Sequence, residues 1–196
     1  LEEEASNIEL KNIVWSQPIV IGDEAKRVNI GLFPKENGEI SYEIYTEGSN
    51  DEIIVHSQGI AVVGSASDEV ISNLDIEDLK SKHSEKEISS QECYEAFERM
   101  GIKYGEAHQG VEKIYVGEDS ILAKLVLPEC VASTLNEYQL HPSLMDSALQ
   151  ASIGIILYNN SISKNPMLLF ALRSLKILRS YTSTMWAIIR QAIRQS

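Results

Sequence analysis

The sequence predicts an α+β fold, and three observations lead there. Apolar and polar residues alternate in several short runs, the pattern of half-buried antiparallel strands. Turn-forming residues separate those runs. One longer apolar run, residues 142–158, keeps helical spacing instead. In the first part, strands are expected from VWSQPIVI, which is rich in β-branched residues, and from KRVNIGLFP, with Val28, Ile30 and Leu32 on one face. EISYEIYTE alternates again, with Ile40, Tyr42 and Ile44 in register. Residues 36–38, ENG, make a hairpin turn because Gly38 tolerates a positive φ. EIIVHSQGIAVVG gives the next strand, and the whole reads as an antiparallel meander with one buried face.

Residues 65–90 are polar, charged and serine-rich, and read as a linker with a short helix near residues 76–80. A second unit follows. In SSQECYEAFERMG, Ser89 or Ser90 can cap a helix and Gly101 can end it. Tyr94, Phe97 and Met100 fall at helical spacing within it. VEKIYVGEDSILAKLVLP reads as a hairpin turning at residues 117–120. The apolar helix comes next, then the loop NNSISKNP, then strands in LLFALRSLKIL and TSTMWAIIRQ. The expected organisation is a strand unit at 1–66, a linker at 67–90 and a second unit at 91–196.

The chain has 196 residues, 43% of them hydrophobic, enough for a buried core. Its formal charge is −12 and its pI about 4.8. That argues against nucleic acid and against an anionic membrane as partners. No apolar run approaches the length of a membrane span. The cysteines, Cys93 and Cys130, form no CxxC pair, and His56, His83, His108 and His141 show no zinc spacing. No metal is therefore expected, and a reducing cytoplasm is the natural compartment. LEEEASNIEL lacks the basic-then-apolar order of a signal peptide, and a first residue of Leu suggests a piece of something longer.

The chemistry concentrates in HPSLMDSALQ, residues 141–150. Asp146 and Gln150 are four apart and share a helix face. Leu144, Met145, Leu149, Ile153 and Ile156 cover most of the remaining circumference, so the helix is expected to be buried nearly all round. Burial would raise the Asp146 pKa and make it a usable general acid, with Gln150 orienting it. An Asp in the first two turns also answers the helix macrodipole or a local hydrogen bond, and pattern alone leaves both readings open. GIKYGEAHQG, residues 101–110, has close-set glycines around an aromatic and suggests a tight backbone passage. A helix cap followed by a turn explains it equally well.

Together and in this order, these stretches resemble the dehydratase domain of modular polyketide synthases and animal fatty acid synthase. YGEAHQG is similar to the family's Tyr-Gly-Pro-x-Phe-Gln-Gly motif, and HPSLMDSALQ to its His-Pro-x-x-x-Asp-x-x-x-Gln motif. NIVWSQPIVI and IIVHSQGIAVV resemble strands of its N-terminal half. LLFALRSLKIL and YTSTMWAIIR resemble the strand pair after the Asp helix, especially in bacterial assembly lines with free-standing acyltransferases. The resemblance spans nearly the whole chain.

It implies a double hotdog, two antiparallel sheets each wrapping a helix, with 1–66 a partial first hotdog and 91–196 a second lacking its last strands. It implies loss of water from a β-hydroxyacyl thioester on an acyl carrier protein, giving an α,β-enoyl thioester. No cofactor would bind directly; the phosphopantetheine would come with the carrier. A histidine of the first hotdog would take the α-proton, and Asp146 would protonate the departing hydroxyl. Gln150 matches the supporting glutamine and Tyr104 the motif tyrosine beside the active site. Gly105, His108 and His141 complete the expected substrate-facing set, with His141 also read as the cap of the Asp helix. Implied partners are the carrier protein, neighbouring synthase domains and a second copy in a homodimer.

The sequence also departs from the family pattern. The family's histidine motif, His-x-x-x-Gly-x-x-x-x-Pro, does not occur in these residues. Truncation at both ends is the expected cause, and it would leave one sheet face uncovered and the isolated segment inactive. Glu106 and His108 stand where the family has proline and phenylalanine. His108 then either packs as an aromatic with a polar tip or substitutes as base. Arg173, Lys176 and Arg179 are a candidate basic patch for carrier docking, or simply a solvated strand face. Alternatives on the same fold are a double-bond-shifting or pyran-forming variant and a non-catalytic scaffold. An Asp at 146 favours dehydration, because an amide has no acid proton to give.

Overall fold

The computed structural model describes residues 7–48, 52–64, 74–159, 170–178 and 181–190. The chain divides into two units, residues 1–70 with 167–179 and residues 71–166 with 180–196.

The first unit is an antiparallel sheet of β1 (Asn7–Trp15), β2 (Asn29–Pro34), β3 (Glu39–Glu47), β4 (Ile53–Gly64) and β8 (Ala171–Ile177), in the order β2-β3-β4-β1-β8. The β2–β3 hairpin turns where expected: Lys35 N–H donates to Glu39 C=O at 2.8 Å, and Gly38 has φ +82°. β1 begins earlier than expected and stops at Trp15, short of Pro18, which has no N–H to give a ladder. Register places Ile30 opposite Ile44, Leu32 opposite Tyr42, Leu10 opposite Ala61 and Leu175 opposite Leu10, so one face of the sheet is apolar. The alternation alone leads one to expect that face buried, whereas a first hotdog without its helix would leave it uncovered, and the second expectation holds at β2. Ile30 and Leu32 are 65% and 63% exposed, and the described residues of this unit include no helix to cover them.

The second unit holds the sheet β5-β6-β7-β9, made of β5 (Lys86–Ser89), β6 (Val111–Val116), β7 (Ser120–Val126) and β9 (Thr184–Arg190). Its helices are α1 (Ile76–Lys82), α2 (Ser90–Arg99), α3 (Pro142–Gln150) and α4 (Ile153–Tyr158). Two assignments of the sequence reading are corrected here. Residues 76–89 form α1 and β5 of this unit, so the linker reading does not extend to 90. The strands in 171–177 and 184–190 do not pair with each other: β8 pairs with β1, while β9 pairs with β7. Both are short apolar strands, and only non-local register decides which sheet each one joins.

Local chemistry explains α2 at both ends. Ser89 and Glu92 form a reciprocal capping box. At the other end Gly101 has φ +85°, its N–H reaches Glu98 C=O at 2.9 Å, and Ile102 N–H reaches Phe97 C=O at 2.9 Å. That is a Schellman ending, which needs the left-handed conformation glycine adopts without strain. Cys93, Ala96 and Phe97 face the core with Ile114, Ile121 and Leu144. Burying each larger side chain contributes roughly 1.5–3 kcal/mol.

The single helix expected over 142–158 is interrupted at Ala151 and Ser152. Ser152, Gly154 and Ile155 N–H groups donate to carbonyls three residues back, and Ser152 Oγ donates to Leu149 C=O at 2.7 Å. The tightened turn brings Gly154 onto the sheet. A Cβ there would lie 2.8 Å from Ile121 Cδ1 and 2.9 Å from Ile114 Cγ2.

Candidate active site

The site lies within the second unit and begins with how α3 starts. His141 is its N-cap: Nδ1 accepts the Ser143 N–H at 3.2 Å, and Pro142 sits in the first turn. With Nδ1 accepting, the other ring nitrogen carries the proton and donates to Thr134 Oγ1 at 3.1 Å. The ring is 1% exposed. Burial holds its pKa below the usual histidine range, and the charge of His108 pushes the same way. The expectation that His141 faces substrate is therefore corrected, while the reading of it as the helix cap holds: it is a neutral, buried N-cap.

One turn on, Asp146 and Gln150 meet as the spacing predicts. Gln150 Nε2 donates to Asp146 Oδ2 at 2.8 Å and to the His108 carbonyl at 3.0 Å. A carbonyl can only accept, so the amide nitrogen must face it. Gln150 Oε1 then accepts the Tyr94 hydroxyl proton at 3.0 Å, and that hydroxyl accepts the Val111 N–H at 2.9 Å. His108 Nδ1 is the second group on Asp146 Oδ2, at 3.1 Å. Gln150 is buried. Asp146 is not: its side chain is 36% exposed and that of His108 46%. The near-complete burial expected for Asp146 is corrected, because the helix turns that side toward the 104–110 loop rather than toward the sheet. An open carboxyl on a buried amide base suits a group that must meet a ligand.

The 104–110 loop closes on itself. Glu106–His108 make a 3₁₀ turn in which His108 N–H donates to Gly105 C=O at 2.9 Å, and Gln109 Nε2 donates to Tyr104 C=O at 2.8 Å. A tight passage exists at Gly110, where a Cβ would fall 2.6 Å from Ser147 Oγ and 2.9 Å from the Val126 carbonyl oxygen. The passage expected at the close-set glycines around Tyr104 is not there: at Gly101 and Gly105 a Cβ would meet nothing within 4 Å. Gly105 shapes the turn and takes no part in the Asp146 cluster among the described residues. Tyr104 packs edge-on against Phe97 and Tyr94, at centroid distances of 5.0 and 6.1 Å. Burial pushes its phenol up to about 12, with the negative charge of Asp146 adding to the effect.

Sequence reasoning placed Tyr94 at helical spacing with Phe97 and Met100 and missed its hydroxyl. The available signal was its type, since a tyrosine at a core position carries a polar tip that needs a partner. Burial holds that phenol far above its usual range, so it stays protonated and donates.

The other histidines are committed elsewhere. His56 pairs with Thr46 Oγ1 at 2.9 Å and the Gln17 carbonyl at 3.3 Å, and His83 with the Leu79 carbonyl at 2.7 Å and Ser120 Oγ at 2.8 Å. Arg173 and Lys176 lie three apart on β8 and so point to opposite faces, Lys176 opposite Glu9, which breaks up the basic patch considered for docking. Arg179 falls outside the described residues. Among the described residues, no cluster of three or more His, Cys, Asp or Glu is placed to hold a metal ion, and no helix is long and apolar enough to cross a membrane.

Residues 77–196, which include this cluster, match the family described as polyketide synthase dehydratase N-terminal domain. The chain belongs to the polyketide synthase dehydratase family. Polyketide synthase PksN of Bacillus subtilis is 43% identical over 96% of the chain, and PksM of the same organism 38% identical over 97%. The chain spans only 3% and 4% of those two proteins. Among solved structures, a dehydratase domain of a trans-acyltransferase polyketide synthase from Brevibacillus brevis is 42% identical, with a TM-score of 0.88, over all of this chain and 67% of that one. The dehydratase of the CurK module of curacin polyketide synthase is 26% identical, with a TM-score of 0.85, over 98% of this chain and 68% of that one. CurK has also been solved as inactive mutants, one His to Phe and one Asp to Asn. The resemblance to the dehydratase family thus holds, as does the α+β hotdog class, seen here as two antiparallel sheets with helices.

Proposed function

We propose that the chain supplies the proton-donating part of a dehydratase that acts on β-hydroxyacyl thioesters within a polyketide synthase. The observation that carries this is Asp146: 36% exposed, held at one oxygen by the buried Gln150 amide, and set within the residues that match the family. With Oδ2 accepting from Gln150 and His108, Oδ1 is left as the oxygen that carries the acid proton. That proton passes to the leaving β-hydroxyl as the C–O bond breaks. The α-C–H electron pair forms the C=C bond, the α-proton goes to a histidine base, and water leaves. The substrate becomes an α,β-enoyl thioester, so neither oxidant nor reductant is required.

His56, His83 and His141 are poor bases for this step, since both ring nitrogens of each are engaged. The reading includes an acyl carrier protein that delivers the thioester on its phosphopantetheine, neighbouring synthase domains, a homodimeric parent and a cytoplasmic setting. It requires no bound cofactor or metal. Incubating the full-length protein with a β-hydroxyacyl pantetheine thioester tests it: enoyl thioester and water should form. A shifted double bond or a cyclic ether as the first product would replace it with one of the variant activities.

A further inference from the structure

We propose that His108 is a positioning residue for the proton donor, holding the Asp146 carboxyl through Nδ1–H. The proposal rests on Asp146 being that donor. Its basis is the double grip of one residue on the pair: His108 Nδ1 lies 3.1 Å from Asp146 Oδ2, while the His108 carbonyl accepts from Gln150 Nε2 at 3.0 Å. The amide is further fixed by Tyr94. Two donors on Oδ2 restrain the carboxyl group through that one oxygen. They also act unequally along the reaction. A hydrogen bond to a neutral carboxylic acid is weak, and one to a carboxylate is roughly twice as strong. Both bonds therefore tighten as Asp146 gives up its proton and becomes anionic, which lowers the barrier rather than merely binding substrate.

The geometry favours positioning over packing. A ring that only filled space would leave Nδ1 toward water, yet it faces a carboxylate oxygen while nearly half of the side chain stays exposed. Asn is the discriminating replacement, because its amide nitrogen can stand where Nδ1 stands, whereas Phe keeps the ring and removes the donor.

The test compares His108→Phe, His108→Asn and Asp146→Asn in the full-length protein, with kcat and KM measured on a β-hydroxyacyl pantetheine thioester. His108→Phe should lower kcat by on the order of 10-fold with KM little changed. That is less than the ~100-fold loss of an enclosed oxyanion donor, because this pair is half-exposed. His108→Asn should recover most of the loss. A His108→Phe variant with wild-type kcat would overturn the proposal. So would His108→Asn failing as badly as His108→Phe, since the ring would then be acting as base. Asp146→Asn with full activity would instead remove the proton-donor assignment on which the proposal stands.

Discussion

Tyr94 and Gln150 are joined by a 3.0 Å hydrogen bond from the phenolic hydroxyl to the amide oxygen. The bond connects α2 to α3 and fixes which end of the amide meets Asp146. Tyr94→Phe would orphan both the Gln150 oxygen and the Val111 N–H. The expected loss is about 1–3 kcal/mol of stability, together with a lower kcat as the amide loses its anchor. Equilibrium denaturation beside steady-state kinetics reads both. Unchanged stability would mean that water replaces the hydroxyl.

The same loop offers a test of its glycines. At Gly110→Ala the new Cβ would press on the Val126 carbonyl, which is backbone and cannot swing away. Overpacking of this kind costs about 1–3 kcal/mol, and the displaced α3 should carry Asp146 out of place. Gly105→Ala, with open space and φ −73°, should leave stability near wild type. Thermal unfolding of the two variants side by side decides this.

Much of this architecture was legible because it is local. The hairpin at Gly38, the capping box at Ser89 and the ending at Gly101 follow from the conformations those residues favour. Asp146 and Gln150 were paired correctly because their spacing puts them on one face whatever surrounds the helix. What escaped was decided at a distance. The partner of β8 lies about as far away in sequence as this chain allows, at β1. The break at Ala151 reflects how closely Gly154 must approach Ile114 and Ile121. The burial of Asp146 was overestimated because helix pattern alone does not reveal which side a loop leaves open.

His141 makes stability depend on pH. Its folded pKa lies below the ordinary histidine value, chiefly through burial, so the unfolded chain binds the extra proton first. The contribution is present above the unfolded pKa of about 6.5 and is lost as pH falls through the lower folded value. His141→Asn puts a capping oxygen in place of Nδ1 but cannot titrate. Between pH 8 and 5, on the scale set by that ~6.5 reference, the wild type should lose more stability than this variant. Parallel curves would show that the cap is not the titrating group.

The most direct measurement is Asp146→Asn in the full-length protein, assayed for enoyl thioester formation and for unfolding temperature together. The asparagine can keep the contact with Gln150 through its side-chain oxygen but has no acid proton to give. The expected result is a fall in kcat of ~100- to 10,000-fold, the range for loss of a general acid, with the unfolding temperature preserved. Turnover at the wild-type rate would contradict the assignment of Asp146 as the proton donor.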